Sequence, residues 1–264
     1  MSLTDEGHYG PKQLNLLKVV WGEGFLSPGG TAEIDEIMTG VDATDRNVLD
    51  IGCGCGGAAF HLLKKYNVKS VEGIDPEPLV IQTAKDLAIK NKLEDVTTFK
   101  QINPGPLQYA DESFDMVFSK EAFLHIPDKE ALLKDIHRIL KPGGLIVVSD
   151  WMRKDDNPPS KQMQEYIDAE GLDMLMCSLK RYKELLEATN FTHIKIKDRN
   201  DWYLEKAKKE LEEIEGPLYQ KVLDVLGLEE TLGAIDIWKK LIGVLEIGEH
   251  RPGHFKAIKI DSQF

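Results

Sequence analysis

By residue type and spacing, the best candidates for chemistry are the glycines at 52, 54 and 57 in Val48-Leu-Asp-Ile-Gly-Cys-Gly-Cys-Gly-Gly57, with Asp50 two residues ahead of the first and Asp75 further on. A glycine turn between an apolar run and a helical run lets backbone N–H groups and a helix N-terminus approach a ligand closely. Nicotinamide dinucleotides and S-adenosylmethionine both use such loops. Asp50 helps to separate them, because a carboxylate there opposes a pyrophosphate and welcomes the ammonium group of a methionine tail. Asp75 ends the next apolar run, where an acid can accept both hydroxyls of a ribose. Gly52, Gly54, Asp50 and Asp75, with Pro76 beside them, are therefore candidate cofactor contacts.

These residues need a sheet to hold them, and the flanking pattern predicts one. Apolar runs at 47–51, 69–75, 96–102, 114–119 and 145–150 alternate with helical patterns at 58–66, 78–91 and 129–140. That order predicts an α/β fold with a parallel sheet covered by helices on both faces. Lys141-Pro-Gly-Gly144 is a turn that no helix can traverse. Further on, helices are expected at 161–176 and 179–189, a strand at 193–198, two helical stretches within 202–246 and a last strand at 253–260. The two helical stretches have no strand between them, so residues of about 200–250 are expected to form a helical insertion before the last strand.

The chain has 264 residues, 42% of them hydrophobic and 30% charged, as in ordinary globular proteins. With 33 basic against 45 acidic residues the net charge is -12, which repels nucleic acid and anionic membrane surfaces. No stretch has the roughly 20 apolar residues that would span a bilayer, and the first residues lack a signal-peptide core. Cys53, Cys55 and Cys177 form neither a zinc pattern nor an even disulfide set. The expectation is a cytoplasmic protein, with no nucleic-acid or membrane partner, in a reducing compartment. The dispersed histidines give no metal site, and His250 and His254 are expected at the surface.

Val48-Leu-Asp-Ile-Gly-Cys-Gly-Cys-Gly, Gly73-Ile-Asp75, Phe114-Asp-Met-Val-Phe-Ser119 and Leu140-Lys-Pro-Gly-Gly144 together resemble the class I S-adenosylmethionine-dependent methyltransferases. The resemblance implies a three-layer, Rossmann-like sheet of seven strands with the last antiparallel, a part that residues 253–260 suit. It also implies S-adenosylmethionine as cofactor, with further contacts at Ile102, Asn103 and Ser119. Asn103 stands where many members carry an acid bonded to the adenine amine. More narrowly, Gly7-His-Tyr-Gly10 and Trp21-Gly-Glu-Gly-Phe-Leu-Ser-Pro-Gly-Gly30 are similar to the opening of the phosphoethanolamine N-methyltransferases. That similarity implies a helical lid over residues 1–33, ahead of a methyltransferase domain at 34–264. It puts Tyr9 and His125 on catalytic positions, Ser27 on a contact to the cofactor's carboxylate, and Glu121 on a contact to the amine. Tyr166 remains as a substrate contact, but Leu17, Glu170, Leu172 and Leu241 stand where the family grips phosphate. A leucine cannot bond an anion and a glutamate repels one.

Methyl transfer from a sulfonium is an in-line displacement that needs a neutral nucleophile held close to the methyl carbon. His125, with an ordinary pKa of about 6.5, is expected to take a proton from an ammonium, with Tyr9 orienting it. The expected acceptor is a small amine, and the protein a monomer or homodimer. Oxygen or carbon acceptors, a nicotinamide-dependent oxidoreductase and a non-catalytic S-adenosylmethionine-binding protein stay open as alternatives.

Overall fold

The computed structural model describes residues 9–260. Gly7 and His8 of the opening motif, and the first eight residues of the expected lid, lie outside the described residues. The chain runs α1 (Pro11–Trp21), α2 (Gly30–Met38), β1 (Asn47–Ile51), α3 (Gly57–Tyr66), β2 (Ser70–Asp75), α4 (Pro78–Asn91), β3 (Thr97–Gln101) and β4 (Phe114–Lys120). A short 3-10 turn, Phe123–His125, precedes α5 (Lys129–Ile139), β5 (Leu140–Asp150), α6 (Lys161–Glu170), α7 (Leu179–Ala188) and β6 (Phe191–Asp198). Then come α8 (Asn200–Glu215), α9 (Tyr219–Leu226), α10 (Leu228–Glu246) and β7 (Gly253–Lys259).

The seven strands form one sheet in the order β3-β2-β1-β4-β5-β7-β6. The strands from β3 across to β5 pair in parallel, and β7 is antiparallel to both of its neighbours. The strand ends that follow β1, β2 and β4 therefore lie along one edge, where crossover sheets place their ligands. Helices cover both faces, so central strands read as continuous apolar runs, and β1 is buried along Val48–Ile51. On one face α2, α3 and α4 pack through Ile34, Ile37, Leu62, Val80 and Ala84, and on the other α5 and α7 pack through Leu133, Ile136, Tyr182 and Leu186.

Three boundaries differ from expectation. Lys141–Gly144 does not precede β5 but bulges within it: the pairing with β4 jumps from Phe114–Leu140 to Met116–Leu145. Helix α6 stops at Gly171, whose φ of 70° caps it in the left-handed region, so residues 171–177 form a loop and not the last turns of a helix. The insertion holds three helices, because Gly216-Pro217 ends α8 and Gly227, at φ 83°, ends α9.

The two histidines expected at the surface are buried, His250 at 0% and His254 at 2% exposure. The reason is tertiary. His254 on β7 donates through Nε2 to Glu33 Oε1 (2.6 Å), and His250 lies between the rings of Trp151 and Tyr166. Glu33 also accepts from Arg199 Nη2 at 2.6 Å, so one buried carboxylate joins α2, β7 and the start of α8.

Candidate functional site

The glycine loop leaves β1 and enters α3, and its shape follows from what crowds it. Gly52 has φ 70°, and a Cβ there would lie 2.1 Å from the Ala122 side chain, beyond the end of β4. A Cβ on Gly57 would lie 2.6 Å from the Gly24 carbonyl oxygen, which accepts from Gly57 N at 3.0 Å. The segment between α1 and α2 thus caps α3 with one of its own carbonyls.

The other loop amides are also engaged. Gly52 N and Cys53 N donate to Ile74 O, Gly56 N to Cys53 O, and Gly54 N to Asp75 Oδ2 at 3.1 Å. Few N–H groups are left for a pyrophosphate. The loop instead carries carboxylates. Burial, with the neighbouring Asp75 charge, pushes Asp50 up to about 8. Burial pushes Asp75 up to about 6, against the amides of Glu77 and Gly54 that bond it. Two neighbouring acids raised in this way form a site whose charge a bound cation would relieve.

The remaining predicted cofactor contacts divide. Ile102 N donates to Asp75 O, which brings the end of β3 against the acid, and Pro76 and Asn103 are exposed on the neighbouring loops. Ser119 is fully buried, and its hydroxyl donates to Ile51 O at 2.7 Å, tying β4 to β1. Ser27 Oγ accepts from Lys120 Nζ at 2.5 Å, and Lys120 also donates to Pro28 O and Glu121 Oε2. Lys120 is absent from the motif-based set, yet it is the buried cation that fastens the N-terminal segment to the end of β4. Glu121 follows it at φ 57°, a left-handed conformation that is costly outside glycine and is found where function constrains the backbone. Its Oε1 accepts from the Tyr203 hydroxyl of α8.

His125 ends the 3-10 turn after β4, and its Nδ1 is 2.9 Å from the carbonyl oxygen of Asp173 in the 171–177 loop. A carbonyl can only accept, so the neutral ring carries its proton on Nδ1 and keeps a lone pair on Nε2. Burial, with the charge of Lys129, holds the imidazole below its usual range against the pull of that carbonyl. Tyr9 is half-buried against the α3 and α4 face. Burial and the charges of Asp75 and Glu170 push its hydroxyl well above the usual tyrosine range. Among the described residues no hydrogen bond joins Tyr9 to His125.

Tyr166 is fully buried on α6, packed in one apolar cluster with Leu124, Trp151, Tyr203, Leu172 and Leu241. Beside it, burial pushes Glu170 up to about 7, the Tyr166 hydroxyl acting in the opposite direction. Leu17 is buried as well. Among the described residues no group of three His, Cys, Asp or Glu side chains could hold a metal ion, and no helix is long and apolar enough to cross a membrane.

A family model described as a methyltransferase domain matches residues 42–215. Phosphoethanolamine N-methyltransferase 1 of Arabidopsis thaliana is 32% identical over 241 residues, which are 91% of this chain and 48% of that protein. The phosphoethanolamine N-methyltransferase of Plasmodium falciparum is 25% identical over 97% of this chain and 92% of its own. The chain spans about half the length of the plant relatives it matches. Among solved structures, phosphoethanolamine N-methyltransferase 2 of Haemonchus contortus, in complex with S-adenosyl-L-methionine, superposes with a TM-score of 0.87 at 25% identity, over 96% of this chain and 58% of that one. The same enzyme with phosphomonomethylethanolamine and S-adenosylhomocysteine gives 0.89 at 24% identity, over 98% and 60%, a likeness of fold.

Proposed function

Because the chain belongs to the methyltransferase-domain family, we propose that it transfers the methyl group of S-adenosylmethionine to the nitrogen of a small amine. Electrostatics carries this proposal: buried Asp50 and half-buried Asp75 stand beside a loop whose amides are already bonded, which suits a cationic cofactor and not a dinucleotide. The names of the relatives support the reaction class.

Asp50 would meet the cofactor's ammonium group, Asp75 the ribose hydroxyls, and Ser27 with Lys120 the carboxylate. Bound there, S-adenosylmethionine supplies an electrophilic methyl group on sulfur. Residues from the N-terminal segment, which reaches the loop through Gly24 and Lys120 through Ser27, would exclude water from that end. Glu121 and His125 would hold the acceptor. The ammonium proton would pass to Nε2 of His125, leaving a nitrogen lone pair for the displacement.

Calorimetry tests the cofactor site. S-Adenosylmethionine should bind more tightly as pH rises from about 6 to 8, because ionisation of Asp75 and Asp50 adds attraction for a cation. Asp75→Ala should weaken binding by about 10- to 100-fold, the worth of one or two hydrogen bonds to a charged group. NAD binding of equal strength, or unchanged affinity in Asp75→Ala, would remove these acids from the site.

The acceptor side supports an amine without a phosphate group. Leu172 and Leu241 pack with Tyr166, and Glu170 lies buried beside it, an apolar and acidic wall in which an anion has no partner. Phosphoethanolamine should therefore turn over more slowly than unphosphorylated amines in a radiolabelled methyl-transfer assay, and equal rates would contradict that assignment.

A further inference from the structure

The Phe123–His125 turn is too short to hold a side chain in place on its own, so something must fix it. Beyond its own turn bonds, the backbone around His125 is tied down from three directions. Leu124 N donates to Asp150 Oδ1 at 3.1 Å, and the second oxygen of that carboxylate accepts from the Tyr182 hydroxyl at 2.6 Å. Leu124 O accepts from Leu175 N at 2.8 Å. Lys129 Nζ donates to Ile126 O at 2.8 Å and to Leu175 O at 2.7 Å, closing a ring of bonds between the turn and the 171–177 loop. The same loop supplies the Asp173 carbonyl that sets the imidazole tautomer.

Asp150 and Tyr182 are both fully buried at 0% exposure. An acid buried this deeply in an apolar layer is costly unless it is bonded, and its bonds go to one backbone amide and one hydroxyl rather than to a countercharge. No step of the proposed reaction uses it.

We infer that Asp150, braced by Tyr182, is the positioning residue for His125: it fixes the Leu124 amide and with it the direction of the imidazole, while the Lys129–Leu175 bonds hold the Asp173 carbonyl in register. This inference rests on the proposed role of His125. It adds that the role depends on a fully buried carboxylate at the end of β5, bonded to the Leu124 amide and the Tyr182 hydroxyl. The charged and titratable groups facing this network are Lys129 from α5, Cys177 from the loop, Tyr182 from α7 and Glu121 after β4 for Asp150, and Lys129 and Asp173 for His125.

The test measures the imidazole itself. Protein labelled in its histidine rings is titrated by NMR without acceptor, the His125 signal being assigned from its loss in His125→Ala. In Asp150→Ala the turn is released, so the His125 titration should move up toward the ordinary value of about 6.5. Turnover should fall by about 10- to 100-fold, as expected for loss of alignment, with little change in KM for the amine. Asp150→Asn keeps an acceptor for Leu124 N and should restore both. If Asp150→Ala does not fold, Tyr182→Phe should move the titration in the same direction by less. A His125 titration identical in wild type, Asp150→Ala and Tyr182→Phe overturns the inference. Near-normal turnover in His125→Ala would instead overturn the role of His125 and leave the titration result standing, so the two failures are distinguishable.

Discussion

Replacing His125 by alanine should lower kcat by about 10²- to 10⁴-fold, the usual worth of a positioned acid–base group, with S-adenosylmethionine affinity nearly intact. The expectation follows from the tautomer: Nδ1 is committed to the Asp173 carbonyl, and Nε2 is left with a lone pair. Because burial lowers the imidazole pKa, the neutral ring is the dominant form at neutral pH. Turnover should therefore rise with pH through a value below the ordinary 6.5. Tyr9→Phe should cost less, since the ring keeps its packing against the α3 and α4 face and only a hydroxyl is removed. A pH profile that tracks the basicity of each acceptor, combined with near-normal activity in His125→Ala, would mean that the enzyme contributes positioning alone.

The second large effect concerns stability. Glu33→Ala should destabilise the fold by about 3–5 kcal/mol, because it leaves the buried His254 and the half-buried Arg199 without this acceptor. Burial works to raise the Glu33 carboxyl, but the bonds from His254 and Arg199 outweigh it and hold the group below the usual range. A carboxyl lowered in the folded state contributes stability above its unfolded pKa and loses it as pH falls through the folded one. The deficit of the variant in urea unfolding should thus be largest near neutral pH and shrink in acid. A loss below about 1 kcal/mol would show that the pair is no stronger than an exposed one.

The parallel half of the sheet and the glycine loop were legible from sequence because their signals are local. Strand-length apolar runs recur from residue 47 to 150, and the glycines at fixed spacing and the acid at the end of β2 lie within residues 47–75. The functional set was only partly legible, and Lys120, Tyr203 and Asp150 show why. Each acts through a partner distant in sequence: Ser27, Glu121 and Leu124 respectively. The pattern around Tyr203 is rich in Lys and Glu and reads as solvated, yet this side chain is buried against the end of β4. The expected extension of α6 to 176 hid the loop that orients His125, although Gly171 was a visible stop signal. Nothing local marked the Ser119 hydroxyl as bonded to the Ile51 carbonyl, a partner distant in the chain.

The place of β7 between β5 and β6 bears on how the molecule is made. The parallel part of the sheet is complete by residue 150, but the outer edge of β5 has no neighbour until Gly253–Lys259 is available, with residues 151–252 intervening. Pairing across so long a loop gives a high contact order, and such closures come late and slowly. On the ribosome the nascent sheet would carry an open strand edge while residues 151–252 are made, a state open to wrong pairings. Since β7 also brings His254 to Glu33 and follows the helix that delivers Tyr203 to Glu121, the contacts around the candidate site would be completed late in folding.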